Sequence, residues 1–329
     1  MMRKLRWGVL GTGKIISKAG VAIHKAANSE WLGIAGRHAE TGREAAEKYG
    51  LEHRYNSYRE LIEDPDIDAV YIALLNHLHK EWAIEALQAG KHVLLEKPFT
   101  LNAREAKEVA DTAKANGVQI MEAHSWRFQE AYHGVKALLE EGVIGDLGMM
   151  CSHFSFMAPS DSTRWVREWG GGALYDIGCY PIAWSRFLMG AEPEAVECHM
   201  VMSSTGVDTR FIGTLYYPDG RVAHCSAAFD MANGSGFELY GTRGRLSLNS
   251  RVQPESVTLT AEYSGMERQW TSDRIQPYVH QVQGFADAIL NGRPVPYSVE
   301  DAIQQMTIMD ALFRSNEERT RIYLNDTAK

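Results

Sequence analysis

Between residues 5 and 121, short apolar runs alternate with longer amphipathic ones. The apolar runs cover 5–10, 31–35, 69–74, 92–95 and 118–121. Helical periodicity fills the gaps at 15–27, 40–49, 57–63, 80–89 and 103–116. Short strands separated by helices predict a parallel sheet, because parallel neighbours need a long right-handed crossover and cannot be joined by a tight hairpin. The strands are continuously apolar, which suits a sheet covered on both faces. Residues 1–123 therefore read as a doubly wound α/β domain.

Beyond residue 124 the pattern changes. Helical stretches at 130–141 and 173–189 lead into a β-rich tract. There 211–217 and 222–228 flank Pro218-Asp219-Gly220, and 237–240 and 246–248 flank a turn at 241–245. Both are hairpin signals. Helical stretches at 278–291 and 299–315 close the chain. Helices followed by antiparallel strands predict an α+β domain over residues 124–329. No repeat or Pro/Ser-rich linker separates the halves, so a direct junction with a cleft at the seam is expected.

Composition narrows the partners. With 45% hydrophobic and 23% charged residues the chain is of ordinary globular type, and 329 residues suit about two domains. Thirty-four Lys and Arg against 42 Asp and Glu leave a net charge of −8, which repels phosphate backbones, so no nucleic-acid partner is expected. Cys151, Cys179, Cys198 and Cys225 form no CxxC pair and are expected to be buried free thiols in a reducing compartment. No run reaches the roughly 18 apolar residues of a membrane span, and none after the basic N-terminus suits a signal peptide. A cytoplasmic protein with no membrane partner is the expectation. No histidine falls in an HExxH-type ligand set, so no catalytic metal is expected.

Candidate chemistry starts where the first strand meets Gly11-Thr12-Gly13-Lys14-Ile15-Ile16. Gly11 permits a tight turn, and Gly13 lets backbone approach a pyrophosphate at the next helix N-terminus. Ile16 stands where the dinucleotide fingerprint has its third glycine. The second strand ends Ala35-Gly36-Arg37-His38 without the acid that would bind the ribose hydroxyls of NAD. Arg37 there favours NADP(H) over NAD(H), since a guanidinium clamps a 2′-phosphate; a solvated loop charge is the alternative. Later strands end at Leu74-Leu75-Asn76-His77-Leu78-His79 and at Glu96-Lys97-Pro98, the sheet edge where ligands sit. Gly170-Gly171-Gly172 precedes a helix carrying Asp176 and Tyr180, four apart and so on one face. The glycines admit a ligand or merely a sharp entry. Asp176 and Tyr180 serve chemistry, or else the helix dipole and packing.

Together these motifs resemble the glucose–fructose oxidoreductase/inositol dehydrogenase (Gfo/Idh/MocA) family over nearly the whole chain. The likeness rests on the glycine pair, Glu96-Lys97-Pro98, residues 122–128 and the segment from Gly170 to Tyr180. It implies a Rossmann domain followed by a domain on a large, open, predominantly antiparallel sheet, whose outer face joins subunits into a homodimer or homotetramer. It also implies that Lys97 orients substrate and cofactor, that the Lys97–Pro98 peptide is cis, and that Tyr180 is the acid/base. Tyrosine at this position is similar to the dihydrodiol and pyranose dehydrogenase members. The catalytic set expected is then Lys97, Asp176 and Tyr180. The cofactor set is Gly11, Thr12, Gly13, Lys14, Ile15, Arg37, His38, Leu74, Asn76, His79, Glu96, Lys97 and Arg127. Trp165, Arg164, Arg167 and Tyr278 are candidates for substrate, with Trp126 and Phe128 further afield.

The activity this implies is hydride transfer between a nicotinamide and a sugar or cyclic polyol, with oxidation of an aldopyranose at C1 as the leading expectation. Alternatives are trans-dihydrodiol oxidation and reduction of an anhydro-ketose or dicarbonyl sugar. A catalytically silent NADP-binding regulator is the alternative of another class; the joint presence of Lys97, Asp176 and Tyr180 argues against it.

Overall fold

The computed structural model describes residues 3–253 and 255–324. They fall into two compact units, Met1–Phe128 with Arg274–Ile303, and Gln129–Asp273 with Gln304–Lys329.

The first unit is built on six parallel strands: β1 (Leu5–Leu10), β2 (Ser29–Ala35), β3 (His53–Arg54), β4 (Ala69–Ile72), β5 (His92–Glu96) and β6 (Ile120–Ala123). Helices α1 (Ile16–Lys25), α2 (Ala39–Tyr49), α3 (Tyr58–Glu63), α4 (His79–Gln88) and α5 (Ala103–Ala115) connect them. The strand order β3-β2-β1-β4-β5-β6 reverses direction between β1 and β4, the point where doubly wound sheets bind ligands. All of β4 and β6 is buried, as strands covered on both faces must be. Apolar runs identify every strand here except β3, whose two residues are polar and pair only with β2.

In the second unit, α6 (Glu130–Glu140) and α7 (Cys179–Met189) pack on one face of a nine-stranded sheet. Its strands are β7 (Leu147–Met157), β8 (Ala195–Met202), β9 (Asp208–Tyr216), β10 (Val222–Ala228), β11 (Asp230–Gly241), β12 (Gly244–Val252), β13 (Ser256–Tyr263), β14 (Met266–Asp273) and β15 (Ile322–Tyr323). The order is β14-β13-β12-β11-β7-β10-β9-β8-β15, antiparallel except for the pair β7/β10. Alternation along β9 buries Phe211 and Leu215 against the helices and leaves Ile212 61% exposed on the other face. The two hairpins form where the turn residues place them. Strands β7, β8, β13, β14 and β15 escape periodicity. β7 interleaves Gly, Ser and His with its apolar residues, and β14 is mostly polar, so sheet context outweighs propensity there.

A single boundary after residue 123 does not describe these units. α8 (Gln276–Leu290) belongs to the first: Phe285 is fully buried with its ring 5.3 Å from that of Trp7 on β1, and Asn28 donates to the Gln283 carbonyl. Amphipathic periodicity reveals such a helix but not which core its apolar face joins. α9 (Val299–Glu318) passes from the first unit into the second at Ile303/Gln304.

All four cysteines are free; Cys179 and Cys225 are buried, whereas Cys151 and Cys198, expected to be buried, are partly exposed. No described helix is long and apolar enough to cross a membrane.

Candidate active site

The turn after β1 pairs a tightly constrained glycine with an open one. Gly11 has φ +103°, and a Cβ there would lie 2.3 Å from the Ala73 carbonyl oxygen beyond β4, so only glycine fits. Gly13 differs: a Cβ would meet nothing within 4 Å. The fold does not need that glycine, whereas a phosphate approaching the backbone would. Thr12 and Lys14 are exposed beside it, Ile15 is half-buried, and no side chain caps the N-terminus of α1. The close helix–strand approach usually made by the third glycine occurs one turn later, where a Cβ on Gly20 would lie 2.3 Å from the Trp31 ring.

Arg37 and His38 follow β2 and are both exposed. Burial raises the pKa of the neighbouring Tyr58 phenol, and the Arg37 charge opposes that rise. No acidic residue intervenes before Glu40 in the first turn of α2.

At the ends of β4 and β5, His79 is fully buried. Its Nδ1 lies 2.9 Å from the Pro98 carbonyl oxygen and its Nε2 3.2 Å from that of Leu74, so whichever nitrogen carries the proton donates to a carbonyl. Burial pulls its pKa down to about 4, so it is neutral. The expectation that His79 touches cofactor gives way to a brace between two loops, since no ring atom is open to a ligand. Leu74, Asn76 and Lys97 are half-buried. The Lys97–Pro98 peptide is cis. Tyr71 donates to Glu96, whose other oxygen accepts the Lys97 N–H at 3.3 Å.

Tyr278 also belongs to the first unit. Lys18 Nζ lies 5.7 Å from its ring centroid; burial and the Glu96 charge raise the pKa of its phenol, while Ser125, Lys97 and Arg274 oppose. Arg127 departs from its expected cofactor role. It is buried, bonded to Asp301 Oδ2 at 2.5 Å, and its guanidinium carbon lies 4.6 Å from the Tyr297 ring centroid. Trp126 and Phe128 pack inside the same unit, against His124 and Tyr297 respectively.

The second unit presents the other half of the candidate set. The residues after the triple glycine do not enter an α-helix directly: Leu174–Gly178 form a π-turn before α7. Pro181 has no N–H to offer the Ile177 carbonyl in a continuous α-helix, and the chain widens just before it. Leu174, Ile177 and Cys179 are buried, leaving Asp176 and Tyr180 half-buried on the other side. Tyr180 lies against Phe154 and Trp184, at centroid distances of 5.4 and 6.1 Å. Arg164 donates to Asp176 Oδ2 at 2.5 Å, and Trp165 donates to the Pro159 carbonyl at 2.8 Å. Arg167 is exposed. Protein atoms fill the space around the glycines: a Cβ on Gly171 would lie 2.3 Å from the Arg164 carbonyl oxygen, and one on Gly172 2.1 Å from Asp208 Oδ1. They make a sharp entry. Asp208 carries no motif and escapes sequence inspection, because strict alternation from Phe211 would put it on the face that Ile212 exposes, and only the register shift opposite Val201 and Met202 departs from that alternation.

Residues 5–124 match the oxidoreductase family with an NAD-binding Rossmann fold named GFO/IDH/MocA, and residues 132–247 match the GFO/IDH/MocA C-terminal domain. The chain is 32% identical to a D-xylose 1-dehydrogenase (NADP(+)) of Haloferax volcanii, over 98% of this chain and 100% of that one. A 3-ketoreductase from Actinomadura kijaniata, solved with NADP and TDP-benzene, superposes with a TM-score of 0.88 at 29% identity over 95% of this chain and 98% of that one. A levoglucosan dehydrogenase solved with NADH and levoglucosan superposes with a TM-score of 0.87 at 25% identity, over 98% and 100%. A β1–α1 turn open at Gly13, the Lys97–Pro98 loop and the Asp176–Tyr180 segment thus occur in a chain that belongs to the GFO/IDH/MocA oxidoreductase family of NAD(P)-dependent dehydrogenases and reductases.

Proposed function

We propose that this enzyme moves a hydride between NADP(H), preferred over NAD(H), and a sugar or cyclic polyol, with aldopyranose oxidation at C1 as the favoured reaction. The observation that carries this reading is the pair Asp176 and Tyr180, one in the π-turn and the other in the first turn of α7, both half-buried while the residues between them are core. A phenol set against Phe154 and Trp184 suits the flat apolar face of a pyranose, and the Asp176 carboxylate suits its hydroxyls. The relative named as a D-xylose dehydrogenase supports the substrate class.

NADP+ supplies the hydride acceptor when bound. The chain must add a base for the hydroxyl proton, and Tyr180 is that base in this proposal. A free phenol has a pKa of about 10, too high for the task, and a nearby ammonium favours phenolate. Lys97 is proposed to supply the ammonium. In the reductive direction Tyr180 returns the proton to the carbonyl oxygen. Gly11, Gly13 and the N-terminus of α1 would hold the pyrophosphate, and Arg37 the 2′-phosphate.

The test is nicotinamide absorbance with NADP+ or NAD+ against aldoses, trans-diols and polyols, and with NADPH against anhydro-ketoses. Turnover of an aldopyranose with NADP+, reduced about 10²-fold or more in Tyr180→Phe at nearly unchanged NADPH affinity, is expected. Nucleotide binding without turnover on any of them would favour a regulator. Association of copies through the sheet face bearing Ile212 is also proposed; sedimentation of Ile212→Glu should show a smaller species than the parent.

A further inference from the structure

Asp208 opens β9, is 1% exposed, and accepts the Leu174 N–H at 2.7 Å on Oδ2. The Ala173 N–H also bonds to it. Among the described residues no cation pairs with this carboxylate. Capping alone does not explain a buried charge, because Asn, with the same reach, satisfies a helix N–H at far lower desolvation cost. A second contact three residues along the same strand shows what the placement achieves. A Cβ on Gly178 would lie 2.4 Å from Phe211 Cε1, so the far end of the π-turn sits directly on β9. Gly172, at φ +121°, lets the near end come down onto Asp208. The segment Leu174–Gly178 is thus mounted at two points on one strand, one polar and one apolar, with Asp176 between them and Tyr180 two residues beyond.

We infer that Asp208 is a positioning residue: by holding the backbone at Ala173 and Leu174 it fixes where the π-turn begins, and so where Asp176 and Tyr180 present their side chains. A wide turn leaves its bonds less regular than an α-helix does, so without the clamp its start can shift. Misplacing a reacting group by about 1 Å costs as much as 10²-fold in rate. The inference rests on the proposed proton-transfer role of Tyr180.

The test compares Asp208→Ala with Asp208→Asn in the full-length protein. The amide oxygen of Asn still accepts from Leu174, so D208N should keep kcat within about three-fold, whereas D208A should lose about ten-fold or more. NADPH affinity should stay within about two-fold in both. Hydrogen exchange at the Leu174 amide should be fast in D208A and slow in D208N. If D208A does not fold, Asp208→Ser, whose arm is too short to reach Leu174, replaces it. Wild-type kcat in D208A or D208S, or slow Leu174 exchange in either, overturns the inference. Equal loss of kcat in D208N and D208A does so too. If the parent protein turns over no sugar or polyol, the functional reading fails on its own, and Leu174 exchange still decides whether Asp208 is the clamp.

Discussion

Arg164 Nε lies 2.5 Å from Asp176 Oδ2, an ion pair between side chains that are 40% and 19% exposed. Ser162 Oγ takes a second guanidinium nitrogen at 3.2 Å, and the guanidinium carbon sits 5.5 Å from the Phe156 ring centroid. The pair therefore aims Asp176 more than it stabilises the fold, since partly exposed ion pairs contribute at most about 1 kcal/mol. Arg164→Ala should lower kcat/KM about ten-fold and leave Tm nearly unchanged. Asp176→Asn should do the same. If the two act as one unit, R164A/D176N is no worse than the poorer single variant, giving a coupling of about 1.4 kcal/mol, one ten-fold factor. Strictly additive losses would show that they work separately.

Arg37 sets the second prediction. It is exposed at the end of β2 with no acid before Glu40, and its charge reaches Tyr58. A hydrogen bond to a charged group contributes about 1.5–3 kcal/mol, or roughly 10- to 150-fold. Arg37→Ala should therefore raise KM for NADP+ by that factor and leave KM for NAD+ within about two-fold. Equal change for both cofactors would remove Arg37 from the 2′-phosphate site.

These residues also show what can be read without coordinates. The β1–Gly11 turn is legible because strand, glycine and helix are adjacent in the chain and the demand on Gly11 is local. Helical spacing likewise puts Asp176 and Tyr180 on one side. Roles set by distant partners are hidden. His79 resembles a ligand group at a strand end, yet its environment is the Leu74 and Pro98 carbonyls. Arg127 sits in a family segment, but Asp301, far along the chain, takes its charge. Asp208 matters through Leu174 and Gly172, more than 30 residues earlier, and nothing local marks it. The glycine missing at position 16 is made good by Gly20, which only the position of the Trp31 ring reveals.

The return of α8 to the first unit yields a stability prediction. Phe285 is fully buried against Trp7, in one core with Val282 and Ala286. Truncating a buried Phe to Ala costs about 3–5 kcal/mol through lost burial and the cavity left behind. Phe285→Ala should lower the denaturation midpoint accordingly, and a fragment ending at residue 128 should lack a cooperative thermal transition. A fragment that melts sharply would show that the six-stranded sheet completes its core without α8.

Acid should act in opposite directions on the two units. Burial holds His79, in the first, at about 4 against 6.5 for a free imidazole. Between those values the unfolded chain binds more protons, so the stability His79 supports above pH 6.5 is lost as pH falls, by about 3 kcal/mol at pH 4. Asp208, in the second unit, is raised by burial to about 6 from 3.8, against the pull of its backbone N–H bonds. There the folded chain holds more protons, so stability grows by about 2 kcal/mol as pH falls through 6 toward 4. Hydrogen exchange at pH 7 and pH 4.5 should therefore report weaker protection in β4 and β5 of the first unit and a compensated response around β9. Asp208→Asn removes the second effect alone, because an amide does not titrate. Its β9 amides should lose protection on acidification relative to the parent protein, while β4 and β5 respond as before. If the D208N and parent β9 amides show the same pH dependence, the Asp208 proton is not taken up in this range, and the buried carboxylate is stabilised by its N–H donors more strongly than burial penalises it.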